Sequence, residues 1–150
     1  MIYWEDIPVG ETEAYGRYEV TRDEVLEFAR RYDPQPFHLS DEAAAKTHFG
    51  KLAASGWHTG AMAMRMIVEN LTPKKIASLG SPGLDDVRWL KPVYPGDTLW
   101  MESEIHEKRE MRSRSDIGLH KMENRVLNQH GEVVMRFTSN VMTARRPAGA

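Results

Sequence analysis

Trp57-His58-Thr59-Gly60-Ala61-Met62-Ala63-Met64-Arg65-Met66-Ile67-Val68-Glu69-Asn70-Leu71 is the stretch on which the fold turns. No proline interrupts it, and Ala61, Met62, Ala63, Met64, Met66, Ile67 and Val68 leave almost no polar face, so the spacing predicts a helix that belongs inside a protein. Its polar exceptions, Arg65 and Glu69, are four apart and share one narrow outlet toward solvent. A helix apolar on nearly every side must be wrapped by something else.

The wrapping material lies mostly downstream. Segments 84–93, 98–107, 117–128 and 133–144 read as strands, with turn signals at Pro95-Gly96-Asp97 and His130-Gly131. Leu99, Met101 and Ile105 share one face of their strand, as do Val133, Met135, Phe137 and Val141 of theirs. The strand from Ile117 breaks phase, since Ile117 and Leu119 alternate out of step with Met122 and Val126, which predicts a bulge near Lys121. Upstream, residues 12–20 read as another strand. Thr21-Arg22-Asp23-Glu24 spells a capping box for a helix that must stop before Pro34. Ser40 caps a short second helix that Gly50 closes. The expectation is an α+β fold: one domain over residues 1–150, with a curved antiparallel sheet of about five strands around a buried central helix at about 57–71 and a frayed tail over 144–150.

A chain of 150 residues can bury roughly 70% of its unfolded surface without staples. It has no cysteine, which excludes disulfides, thiolate metal sites and cysteine nucleophiles. A net charge of −2 argues against a nucleic-acid partner. The basic groups Lys108, Arg109, Arg112 and Arg114, and Arg145 with Arg146, read as a solvated hairpin end and a tail. The acidic N-terminus does not read as a signal peptide, and no apolar run approaches the roughly 18 residues of a membrane span. The expected place is therefore the cytoplasm, with no membrane partner.

Chemistry concentrates just before the central helix. In Tyr32-Asp33-Pro34-Gln35-Pro36-Phe37-His38 a carboxylate and an imidazole stand five positions apart on a loop stiffened by two prolines. Asp33 and His38 can then face one cleft and hold one water, as general acid–base catalysis requires; the plainer reading is a helix terminator and a surface histidine. In Ala54-Ser55-Gly56-Trp57-His58-Thr59-Gly60, a glycine at a helix N-terminus offers unpaired N–H groups to an oxyanion, or serves the turn alone. His38, His48 and His58 are ten apart, a spacing that fits no common metal motif, so no metal site is expected. His48 reads as a surface residue near the end of the short helix.

Together with Pro92-Val93-Tyr94-Pro95-Gly96-Asp97, these segments resemble the MaoC-like family of (R)-specific enoyl-CoA hydratases, over about residues 12–143. Asp33 and His38 match that family's catalytic pair, Pro36 its Asn-Pro proline, and Gly56 its oxyanion-binding glycine. Gln35 replaces the usual Asn, and Ser55 stands where many of these hydratases carry His. The resemblance implies a hotdog fold and a homodimer with joined sheets, and it makes Ser55, Gly56 and Trp57 the oxyanion- and substrate-binding corner. Trp89 and Tyr94 become candidate walls. It further implies reversible hydration of a 2-enoyl-CoA to a 3-hydroxyacyl-CoA, with coenzyme A as part of the substrate and no other cofactor. Alternatives are a hotdog acyl-CoA thioesterase and a non-catalytic acyl-thioester-binding partner subunit.

Overall fold

The computed structural model of the chain describes residues 1–149; Ala150, part of the expected tail, lies outside the described residues. Strand β1 (Thr12–Glu19) leads to α1 (Arg22–Tyr32), where the Thr21 hydroxyl accepts a hydrogen bond from the Glu24 amide at 3.3 Å. Only that half of the expected capping box carries over, because the Glu24 carboxylate is engaged by the Tyr18 hydroxyl and by His58 Nε2. Ser40 caps α2 (Asp41–Ala45) by accepting from the Ala43 amide at 3.1 Å. That helix ends well before Gly50.

The long helix α3 (Gly56–Leu71) follows, and then β2 (Gly83–Trp89), β3 (Thr98–Glu110), β4 (Ile117–Leu127) and β5 (Val133–Ala144). All pairings are antiparallel, in the order β1-β3-β4-β5-β2, so β1 and β2 are the edges. The sheet curves around α3, whose inner face carries His58, Thr59, Met62, Ala63, Met66 and Ile67. Met62 and Met66 pack with Leu99, Met101, Val126 and Val134, all nearly or fully buried. Gly16, at the irregularity in β1, has φ +84°, and a Cβ there would stand 2.8 Å from Met66 Sδ, so the strand can approach the helix this closely only as glycine. We expect Met62→Ala to cost about 2–5 kcal/mol, read as a lower urea midpoint at unchanged slope.

Three expectations need correction. First, α3 is not covered all round. Trp57, Met64 and Val68 are 70%, 50% and 48% exposed, a stripe at helical spacing that the sheet of a single chain does not reach. Second, β4 has no bulge near Lys121. It pairs without interruption with β5 from Ile117 to Val126, and the extra residue, His106, sits on β3 between Ile105 and Glu107. The apparent loss of phase arises because the inward positions of β4 include the polar His120 and Asn124, which a hydrophobic pattern counts as outward. Asn124, fully buried, accepts from Ser103 Oγ at 2.8 Å and donates to Ser139 Oγ at 3.0 Å. Third, the chain does not fray from residue 144. Ala144 ends β5, the Arg145 amide donates to the Asp116 carbonyl at 2.8 Å, and the guanidinium of Arg145 reaches Glu5 at 3.1 Å. Arg146 pairs with Asp6, so acids in the N-terminal segment hold both arginines.

Candidate active site

Asp33 leaves helical geometry at the end of α1, with φ −150° and ψ 67°, while its amide still donates to Ala29 O at 2.9 Å. Pro34 forbids continuation, and Pro36 opens a single 3-10 turn, Pro36–His38, that folds the histidine inward. His38 is 4% exposed and sits against the rings of Phe37 and Phe49, with centroids 4.6 and 5.7 Å away. Its Nδ1 lies 2.7 Å from the Ala53 carbonyl oxygen. A carbonyl has no proton to give, so Nδ1 carries the hydrogen, and in the neutral ring Nε2 holds a lone pair.

Nε2 faces the Asp33 carboxylate, 3.4 Å from Oδ2. The carboxylate accepts from Ser55 Oγ at 2.7 Å on Oδ2 and from Gln35 Nε2 at 2.7 Å on Oδ1. Burial by itself would raise the Asp33 pKa, but the hydrogen bonds from Ser55 and Gln35, with His38 adding to them, leave it below the ordinary aspartate value. Gln35, in place of Asn, does keep an amide on the carboxylate.

Ser55 is the N-cap residue of α3, yet its side chain makes no capping bond because its hydroxyl donates to Asp33. The residue is fully buried. No side chain therefore competes for the N–H groups of the first turn of α3, where the helix dipole also favours negative charge. Gly56 has a further reason to be glycine. Trp89 Nε1 donates to Gly56 O at 2.8 Å, and a Cβ on Gly56 would stand only 2.8 Å from that same nitrogen.

A cavity of about 300 Å³ opens beside these groups, with His38, Gly56 and Thr59 on one side and Trp89, Leu90 and Val93 on the other. Asp33, His38 and Ser55 are directly linked, and His38 and Gly56 border the same space. Trp57 is not brought in; it lies outside with its ring edge-on to Trp89 at 5.3 Å. Trp89 is a wall, while Tyr94 is a latch whose hydroxyl donates to Phe49 O at 2.7 Å. Pro92 to Asp97 fasten the site from below, since Ala54 N donates to Val93 O at 2.8 Å and Val20 N to Asp97 O at 2.9 Å.

The sequence reading missed Thr59 and Leu90 as lining residues. Thr59 lies within segment 54–60, one turn into α3, whereas Leu90, just past β2, is brought to the cavity only by the long-range pairing of β2 with β5. His48 is exposed, as expected, yet it also borders the cavity. His58 turns to the other side of α1, stacked on Phe28 at 4.7 Å and 3.3 Å from Glu24, where burial holds its pKa below the usual histidine value despite that carboxylate. Among the described residues no three His, Asp or Glu side chains stand in position to hold a metal ion.

We expect Ser55→Ala to raise the Asp33 pKa, since a bond that stabilises the carboxylate is lost. The acid limb of any Asp33-dependent activity then moves to higher pH, and a pH–rate profile with an unmoved acid limb would contradict this role for Ser55.

Known proteins share this fold. Residues 8–127 match the family described as "MaoC like domain". A MaoC-like dehydratase from Rhodospirillum rubrum is 40% identical, superposes with a TM-score of 0.88, and the alignment covers 98% of this chain and 99% of that one. A 3-hydroxybutyryl-CoA dehydratase from Methylorubrum extorquens is 28% identical over 116 residues, 75% or more of this chain (77%) and 71% of the relative. The R-hydratase PhaJ1 of Pseudomonas aeruginosa, at 24% identity and a TM-score of 0.70, has the same fold over 97% of this chain and 87% of its own. The five-stranded curved sheet around a central helix is a hotdog fold, and the chain belongs to the MaoC-like dehydratase domain family.

Proposed function

We propose that this protein catalyses the reversible hydration of a 2-enoyl-CoA thioester to the (R)-3-hydroxyacyl-CoA, with Asp33 and His38 acting as one unit on a shared water. The observation that carries the reading is the 3.4 Å approach of Asp33 Oδ2 to His38 Nε2, with His38 Nδ1 already committed to the Ala53 carbonyl. One water can reach both atoms and exchange a proton with either. The pair takes one proton as the water oxygen bonds to C3. The C2=C3 π electrons move into the thioester enolate, and the pair then returns a proton to C2 on the same face.

The Gly56 amide and the uncapped first turn of α3 supply positive potential for the enolate oxygen. Asp33 and His38 receive no separate acid and base labels, because coupled groups titrate as a pair. The reaction takes no metal or redox cofactor, and coenzyme A belongs to the substrate. The dehydratase from Methylorubrum extorquens, named for a 3-hydroxyacyl thioester, supports the substrate class.

The test is a panel of crotonyl-CoA and longer 2-enoyl-CoA substrates, monitored for enoyl absorbance and for free thiol. Loss of absorbance without thiol is the expected result. Thiol release would make the protein a thioesterase, and saturable binding without either change would make it an acyl-thioester carrier subunit.

A homodimer is part of this proposal. Edge strand β2 exposes Leu84 and Trp89, Leu90 follows it, and the outer stripe of α3 exposes Met64 and Val68, an apolar surface of the kind that a second copy covers. Light scattering is expected to give a dimer for the wild-type chain and a monomer for Val68→Lys combined with Leu84→Lys; a monomeric wild type would end the dimer proposal.

A further inference from the structure

Where α3 ends at Leu71, only the single 3-10 turn Thr72–Lys74 follows, and it leaves part of the concave face of the sheet open. The N-terminal segment crosses this end: Ile2 bridges to Ile76, Ile7 is buried, and Gly10 N donates to Ile105 O at 2.7 Å. Between them lies a cavity of about 280 Å³ walled by Ile7, Leu71, Ile76, Ile105, Met122 and Val141. It shares no lining residue with the cavity beside His38 and Gly56, from which it is separated by the length of α3, about 24 Å at 1.5 Å per residue.

One polar group among these walls is unspent. Tyr15, Ser103, Asn124 and Ser139 form a chain of hydrogen bonds across the sheet and satisfy one another. His120, next to them on β4 and only 5% exposed, lines the cavity with its Nδ1 fully buried and without any partner. Burial, with Lys108 adding to it, pushes its pKa down to about 4, so the ring is neutral. The tautomer with the proton on Nε2 leaves no N–H orphaned in the interior and makes that edge of the ring a donor.

Charge and size narrow the occupant. At the rim Asp6 is paired with Arg146 and Glu13 with Lys74, which leaves the charge of Glu11 unbalanced and offers an anion no free cation among the lining residues. An apolar cavity of about 150 Å³ takes benzene, so this one has room for roughly ten heavy atoms. We infer that the cavity is a second binding site, for a small neutral molecule that is apolar along its length and ends in an acceptor oxygen, such as a ketone, received by His120.

Titration of the isotope-labelled full-length protein with 2-heptanone tests this. Saturable shifts are expected at Ile105, Met122 and Val141 and at the His120 ring nitrogens, with hexanoate, similar in size but anionic, binding at least tenfold more weakly. His120→Phe and Ile76→Trp are each expected to weaken 2-heptanone binding at least tenfold; should the buried substitution fail to fold, the wild-type shift map and the rim variant decide. Absence of saturable shifts, shifts gathered around His38 and Gly56, or equal affinity for hexanoate would overturn the inference.

Discussion

Asp33→Asn is expected to lower kcat for 2-enoyl-CoA hydration by about 10³-fold with KM changed no more than about threefold, because it removes a proton acceptor and little substrate contact. The substitution conserves shape; Ser55 and Gln35 donate to different oxygens of Asp33, so the amide oxygen keeps one of these bonds while the NH2 donates to the other partner, which turns its own oxygen to accept, and the loop can stay in place. What disappears is the negative charge 3.4 Å from His38 Nε2. His38→Ala is expected to cost a similar factor, and the double variant about as much as either single one, since neither group completes the proton exchange alone. Single variants with near wild-type turnover would remove the pair from the chemistry. Losses that multiply in the double variant would show that the two act independently.

Gly56→Ala is expected to reduce kcat by about 10²-fold, a magnitude typical of a displacement near 1 Å at a reacting centre. Alanine keeps the backbone N–H, so the loss comes from geometry: the added Cβ meets the Trp89 indole and must push either the tryptophan or the first turn of α3 aside. Trp89→Ala in the same chain removes the obstacle, and most of the lost rate is expected to return. If Gly56→Ala is harmless, the position of this turn is unimportant to the reaction. If the second substitution restores nothing, the defect lies in the backbone itself and not in the contact with Trp89.

The parts of the fold that were legible are those written in adjacent residues. The Thr21 and Ser40 caps, the turn at Pro95-Gly96-Asp97, the alternation in β3 and the apolar run of α3 each depend on a few neighbouring side chains, and each stands near its expected place, whereas in β5 only Met135, Phe137 and Val141 keep the expected shared face, because a register shift turns Val133 to the other face and buries Val134. The Asp33 and His38 constellation belongs here too, because two prolines fix the short chain between them. The inward phase of β4 was misread because His120 and Asn124 occupy core positions that periodicity assigns to solvent. The surroundings of Glu24 were misread for a related reason: a local cap competes with Tyr18 and with His58, 34 positions away.

By itself, then, the sequence determined the elements, the helix that the sheet must wrap, and the closeness of Asp33 and His38 on a stiff loop. Tertiary structure alone decided where side chains point. It turned Ser55 from its cap toward Asp33, sent Trp57 outside while Trp89 closed over Gly56, bound Arg145 and Arg146 to Glu5 and Asp6, and left His120 without a partner in a cavity. Chain-local preferences fix backbone dihedrals within a few residues. The direction of a side chain is settled by close packing and by whichever distant donor or acceptor the fold delivers to it.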